Sequence, residues 1–164
     1  MSQTDLLIRA FEPDDIVEVT ELLNQPRAIW GTLQLPYASV AERRKNLEHV
    51  RGLHLVAVIE GKVIGEIGLM PVDRPRRAHA AAIGMAGHDA YPRRGAGNAL
   101  MAGGRGNAGK GPNHSPPAFK VWADNARAIA LYERFGFERE GLLRRYAFRD
   151  GAYVDSIPMA RLRG

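Results

Sequence analysis

The sequence predicts a mixed α/β domain, and three observations carry that prediction. Two apolar runs, His54–Ile59 and Val63–Leu69, flank the tight-turn triplet Glu60-Gly61-Lys62 and read as a β-hairpin. Two other segments, beginning near Ile16 and near Ala128, place apolar residues at helical spacing instead. Strand-like and helix-like stretches follow one another along the chain with no internal repeat.

Each element has its own local reason. Leu6-Leu7-Ile8-Arg9 starts a short strand, and Glu12-Pro13-Asp14-Asp15 then supplies helix-start chemistry: a proline in the first turn and acids at the positive end of the dipole. Ile16, Val19, Leu22 and Leu23 form the buried stripe of that helix. Residues Arg27 to Tyr37 read as a loop with large apolar groups, and Val40 to Val50 as a more polar helix. After the central hairpin come a basic loop at Arg74–Arg77, a small-residue strand over His79–Ala86, and a Gly/Arg loop over Tyr91–Gly97. Asn98-Ala99-Leu100-Met101 opens a helix. Phe119–Trp122 is a strand. Asn125 caps a helix with Ala128, Ile129, Leu131, Tyr132 and Phe135 near one face, and Gly136 ends it. Residues 146 to 162 form a last hairpin turning at Arg149-Asp150-Gly151.

The 164 residues suit one domain with one sizeable core, 1–164. With 45% hydrophobic and 25% charged residues, a wholly disordered chain is excluded. No apolar run reaches membrane-span length, and MSQTDLLIRAFEPDD is no signal peptide, so a soluble cytoplasmic protein with no membrane partner is expected. The absence of cysteine excludes thiolate catalysis, disulfides and cysteine-ligated zinc; no metal is expected. A net charge of +5 favours polyanions or phosphate-rich cofactors. The arginine clusters carry no interleaved aromatics, so nucleic acid is not expected as a partner.

GRGNAGKG, residues 104 to 111, imitates both a dinucleotide loop and a P-loop. Both need a strand before and a helix after. Here prolines 112, 116 and 117 follow, and Gly111 stands where a magnesium-binding hydroxyl belongs. The spelling is therefore read as accidental. A better phosphate loop lies earlier, where a strand leads through Arg93-Arg94-Gly95-Ala96-Gly97 into the helix at Asn98: backbone N–H groups at a helix start, glycines that permit close approach, and two arginines. A second constellation is Asn125 with Tyr132, seven residues or two turns apart on one helix face, where Tyr132 reads either as a phenol beside a ligand or as a core tyrosine with a satisfied hydroxyl.

In this order and spacing, the two constellations resemble the GCN5-related N-acetyltransferases, over nearly the whole chain. The resemblance implies the GNAT fold, a mixed, mostly antiparallel central sheet with helices on both faces. It implies acetyl-CoA as co-substrate and transfer of the acetyl group to the amine of a small molecule. It further implies that Arg93, Arg94, Gly95, Ala96, Gly97 and Asn98 bind pyrophosphate, that the backbone of Met85, Ala86 and Gly87 pairs with the pantetheine arm, that Asn125 contacts the cofactor, and that Tyr132 protonates the leaving thiolate. Relatives with a strand-borne glutamate base carry it near Ala81; His79 and Glu66 are the remaining candidates for base or substrate contact.

Thr32–Tyr37, Arg74–His79 and Tyr146–Asp155 resemble bacterial L-amino-acid N-acetyltransferases of the phenylalanine/methionine type. Ile29, Trp30, Leu33, Leu35 and Tyr37 are then candidates for an apolar acceptor pocket, or for ordinary inter-helix contact. Arg76 or Arg77 is a candidate for a substrate carboxylate, or part of a solvated loop. A homodimer is a further expectation. A protein N-terminal or ribosomal-protein acetyltransferase, and a weakly catalytic CoA-binding sensor, are the competing readings. Three features depart from the family pattern. Pro92 removes a phosphate-loop N–H, and Gly87 weakens its strand. Residues 102 to 118 hold five glycines and three prolines where relatives continue a helix. Two compensating reading-frame errors in a GC-rich gene, or a true flexible loop, would each explain this segment. A helix persisting to about residue 108 is expected from the first, coil from the second.

Overall fold

The computed structural model describes residues 5–48, 51–77, 80–108 and 118–161. The described strands all join one eight-stranded sheet, in the order β1-β2-β3-β4-β5-β8-β6, with β7 also paired to β8. The strands are β1 (Leu7–Ala10), β2 (Leu53–Ile59), β3 (Lys62–Pro71), β4 (Ala81–Gly87), β5 (Ala118–Trp122), β6 (Glu138–Arg139), β7 (Leu143–Arg149) and β8 (Ala152–Ala160). The helices are α1 (Ile16–Leu23), α2 (Pro26–Gly31), α3 (Val40–Leu47), α4 (Ala96–Ala108) and α5 (Ala126–Arg134). Every pairing is antiparallel except β4 with β5.

The hairpins form as expected. Glu60 and Gly61 both have positive φ (49° and 79°), as do Asp150 and Gly151 (50° and 81°), the left-handed pair that matches strand twist in a two-residue turn. Alternation along β2 then splits the interior into two cores. Leu55, Ala57 and Ile59 face α4 and α5, where they meet Leu100, Ile129 and Phe119. Val56 and Val58 face α1, where they meet Val19 and Leu22. Gly65 brings α4 close to the sheet, since a Cβ there would stand 3.1 Å from Leu100 Cδ1.

Two elements differ from the sequence expectation, and a third matches one of two competing expectations. The expected loop from Arg27 contains α2, whose Pro26 sits in the first turn. Two-residue β6 has too few positions to show a period. The third is α4, which starts at Ala96 and holds four glycines over its 13 residues. It takes the helical course rather than coil as far as Ala108, and residues 109–117 lie outside the described residues. Glycine costs roughly 1 kcal/mol against alanine in a helix interior, so contact with the sheet must supply what propensity does not. Gly103 and Gly104 both abut it: a Cβ on Gly103 would lie 3.2 Å from Leu55 Cδ1, and one on Gly104 would lie 3.5 Å from both Ile67 and Leu69 Cδ1. The first half of GRGNAGKG is therefore helix interior, not a phosphate loop.

Candidate active site

The one parallel junction in the sheet is barely a junction. β4 and β5 pair only at Ala82 and Ala118, then diverge. Beyond that point the β5-facing edge of β4 has no strand partner among the described residues. The direction of its backbone groups follows from the β3–β4 ladder. His88 N–H donates to Ile64 O at 2.8 Å, and residues of an antiparallel strand turn their N–H and C=O alternately to one side and the other. Met85 and Gly87 thus aim both groups into the gap. Ala86 turns its own toward Glu66 on β3, so only two of the three expected backbone positions face the opening.

A cleft of about 880 Å³ opens through this gap, and Met85, Ala86, Lys120 and Val121 line its walls. At one end lies the loop from Tyr91 into α4. Arg93 and Gly95 both adopt positive φ (57° and 76°) around Arg94. Alternating handedness turns successive N–H groups toward a common concavity, and the first-turn N–H groups of α4 add donors that its own carbonyls cannot satisfy. Gly97 is needed for approach of another kind: a Cβ there would stand 3.3 Å from Leu131 Cδ2, pushing α4 off α5. Asn98 accepts a hydrogen bond at Oδ1 from Arg134 Nη2 at 3.2 Å, which ties the two helix ends together. Arg93, Arg94, Ala96, Gly97 and Asn98 all line the cleft.

Asn125 caps α5, its Oδ1 accepting from Ala128 N–H at 3.2 Å. Its Nδ2 is left facing α2, where a Cβ on Gly31 would be 3.9 Å away. Tyr132 lies two turns along α5, 8% exposed, its ring held by Phe119 at 3.9 Å and by Phe137. It lines the cleft, and its hydroxyl has no hydrogen-bond partner among the described residues. Burial pushes its pKa up to about 12. The phenol is therefore protonated at any physiological pH.

The other sequence candidates are placed elsewhere. Glu66 does not line the cleft; its Oε2 lies 2.6 Å from His54 Nε2, and Phe11 stacks on the His54 ring. Leu33, Leu35 and Tyr37 are 67%, 79% and 93% exposed, and Arg77 lies in an exposed 3-10 turn; none of the four lines the cleft. His79 lies outside the described residues. At the end of the cleft away from the arginine loop, the structure gathers side chains the sequence did not mark as a group; Trp30, Lys120 and Asp124 line the cleft, and Trp122, Tyr146 and Arg149 stand behind them. Trp122 Nε1 donates to Trp30 O at 2.8 Å, locking α2 onto β5. Arg149 lies 4.2 Å over the Trp30 ring and is ion-paired to Asp124. Lys120 lies 5.4 Å over the Tyr146 ring.

A parted parallel strand pair, backbone groups lining the gap, a helix-start phosphate cradle at one end and a buried neutral phenol beside it suit a phosphate-bearing thioester laid through the sheet. The model of the acetyltransferase (GNAT) family matches residues 16–137. The chain belongs to this family. It is accordingly an N-acetyltransferase with acetyl-CoA as acetyl donor. It is 34% identical over 161 residues to the L-amino acid N-acetyltransferase AaaT of Escherichia coli K12, covering 98% of this chain and 99% of that one. The structure is similar, at TM-score 0.85 and 25% identity, to a GNAT-family acetyltransferase from Streptococcus pneumoniae, over 98% of this chain and 100% of that one. It shares its fold with a phosphinothricin acetyltransferase from Sinorhizobium meliloti solved with acetyl-CoA (TM-score 0.86, 21% identity, 95% and 87% covered).

Proposed function

We propose that this protein acetylates the α-amine of a free L-amino acid, working as one cytoplasmic domain over residues 1–164. The observation that carries the reading is the cleft itself, which joins the α4 cradle to an end lined by Trp30 and Lys120 through the gap between β4 and β5. The family relative named for amino-acid acetylation supports the acceptor class. The proposal includes a homodimer and neither nucleic acid nor membrane as partner. The exposed apolar residues Leu33, Leu35 and Phe148 support the dimer.

The residues divide the work. Arg93, Arg94 and the N–H groups of Gly95, Ala96, Gly97 and Asn98 hold the pyrophosphate. Met85 and Gly87 offer backbone groups to the pantetheine amides, and Met85 N–H polarises the thioester carbonyl in this reading. Acetyl-CoA, when bound, supplies an activated acetyl group. Asn125 Nδ2 contacts the cofactor arm. The Tyr132 hydroxyl gives its proton to the departing sulfur. His79 is the sequence's candidate for receiving the ammonium proton, through water. Free-thiol release from acetyl-CoA, followed across an amino-acid panel and an N-terminal peptide, tests the reading. Turnover with apolar L-amino acids is expected. Turnover with the peptide alone, or failure to bind CoA, overturns it.

A further inference from the structure

The geometry points to Lys120 as the residue that binds the acceptor's carboxylate. This rests on the amino-acid reading above and adds to it the group that would make an amino acid, rather than a simple amine, the preferred acceptor.

Three observations lead there. The first is position. β4 and β5 make their single pairing at Ala82 and Ala118, and Lys120 is two residues further along β5, where the strands have parted. Phe119 and Val121 turn into the α4/α5 core, so Lys120 between them turns to the opposite face, with Trp122. The phosphate cradle belongs to the other face, where Gly97 abuts Leu131 and Met85. A thioester threaded through the gap would bring its acetyl end toward Lys120 and leave its phosphates at Arg93 and Arg94.

The second is charge. Lys120 lines the cleft and has no carboxylate within ion-pair distance among the described residues. The carboxylate next along the cleft wall, Asp124, is taken by Arg149. An ammonium beside an aromatic face and free of a counter-ion is a ready receptor for an anionic ligand group.

The third is support. β7 bulges between Leu143 and Ala147, with Arg145 at φ 50° and its N–H donating to Asp155 Oδ1 at 2.9 Å. The bulge re-aims the next residue, Tyr146, whose ring meets both Lys120 and Trp122. The lysine is thus held beside the Trp30–Trp122–Tyr146 wall. In this proposal an α-amino acid sets its carboxylate on Nζ, its apolar side chain against Trp30, the ring of that group that lines the cleft, and its amine toward the gap. Lys120 is exposed on β5, and in the sequence it reads only as the solvent-facing member of an alternating strand.

The test compares wild type with Lys120→Met and Lys120→Arg on L-phenylalanine, on L-phenylalaninamide and on phenethylamine, at fixed pH. Losing one charge-assisted hydrogen bond corresponds to about a 10- to 100-fold change. Lys120→Met is expected to raise KM for L-phenylalanine by that factor, to leave the amide and phenethylamine unchanged, and to leave acetyl-CoA affinity unchanged. Lys120→Arg is expected to recover most of the loss. An unchanged KM for L-phenylalanine in Lys120→Met overturns the assignment while amino-acid acetylation stands. An equal loss on all three acceptors also overturns it, since the lysine would then serve the cleft generally. A wild type that acetylates the amide and phenethylamine but no free amino acid overturns both readings, and the acetyl-CoA affinity shows that the variants are folded.

Discussion

The two ends of the cleft are built by different means. The α4 end is built mostly from backbone and small residues contributed by one continuous stretch, Tyr91 to Asn98. The far end is lined by side chains of α2 and β5, Trp30 and Lys120, which are backed by Trp122 of β5 and by Tyr146 and Arg149 of β7. Backbone recognition suits a ligand that never changes, because main-chain geometry is indifferent to most substitutions. Side-chain recognition suits a ligand that distinguishes one enzyme from its relatives.

That contrast can be broken at several points. The largest effect is expected between the two ends, at Tyr132. Replacing the phenol by Tyr132→Phe removes a positioned acid and should lower kcat about 100-fold with CoA affinity unchanged, read by steady-state kinetics and calorimetry. The pKa pushed up to about 12 sets the sign of the pH dependence. A raised value keeps the donor protonated on the alkaline side, so wild type should show no loss of kcat assignable to this group below about pH 11. An alkaline limb near pH 9 that Tyr132→Phe abolishes would contradict the burial seen here.

At the side-chain end, Arg149→Met removes both the Asp124 ion pair and the cation over Trp30. Acceptor KM should rise about tenfold while acetyl-CoA KM stays put. At the backbone end the pattern should invert. Gly95→Ala places a Cβ at φ 76°, where nothing lies within 4 Å, so the cost is conformational alone. About 1 kcal/mol of strain should raise acetyl-CoA KM about fivefold and leave acceptor KM untouched. Equal effects of Arg149→Met and Gly95→Ala on both substrates would dissolve the contrast. The smallest effect is expected away from the cleft. Gly104→Ala adds a methyl at 3.5 Å from Ile67 and Leu69, ordinary contact distance, and restores helix propensity. It should stabilise by about 1 kcal/mol, a rise in Tm of about 2–4 °C by calorimetry.

The same contrast governs what could be read from the sequence. The Arg93–Gly97 loop was legible because its parts are adjacent and its glycines have a local reason. Asn125 and Tyr132 were legible because helical period alone puts them on one face. The hairpins at Glu60-Gly61 and Asp150-Gly151 were legible for the same local kind of reason. The acceptor end was not. Tyr146 reaches Lys120 only through a bulge in β7, and Trp30 reaches Trp122 across 92 positions of chain. Exposed Leu33, Leu35 and Tyr37 attracted notice by being apolar, yet the fold turns them away from the cleft. The second half of α4 could be read two ways: its glycines argue locally for coil, while the expected continuation of the helix is the course it takes, over Leu55, Ile67 and Leu69.

The single pairing of Ala82 with Ala118 has a mechanical side. Ladders β1-β2-β3-β4 and β5-β8-β6 are two plates that share one backbone seam and are otherwise held by the apolar core beneath, where Leu55 and Ile67 meet Phe119 and Met159. A ligand arm bearing amides, seated against Met85 and Gly87, would act as a rivet across that seam. Occupancy of the cleft is then coupled to the integrity of the whole sheet, and the protein's resistance to heat becomes a gauge of how much acetyl donor surrounds it.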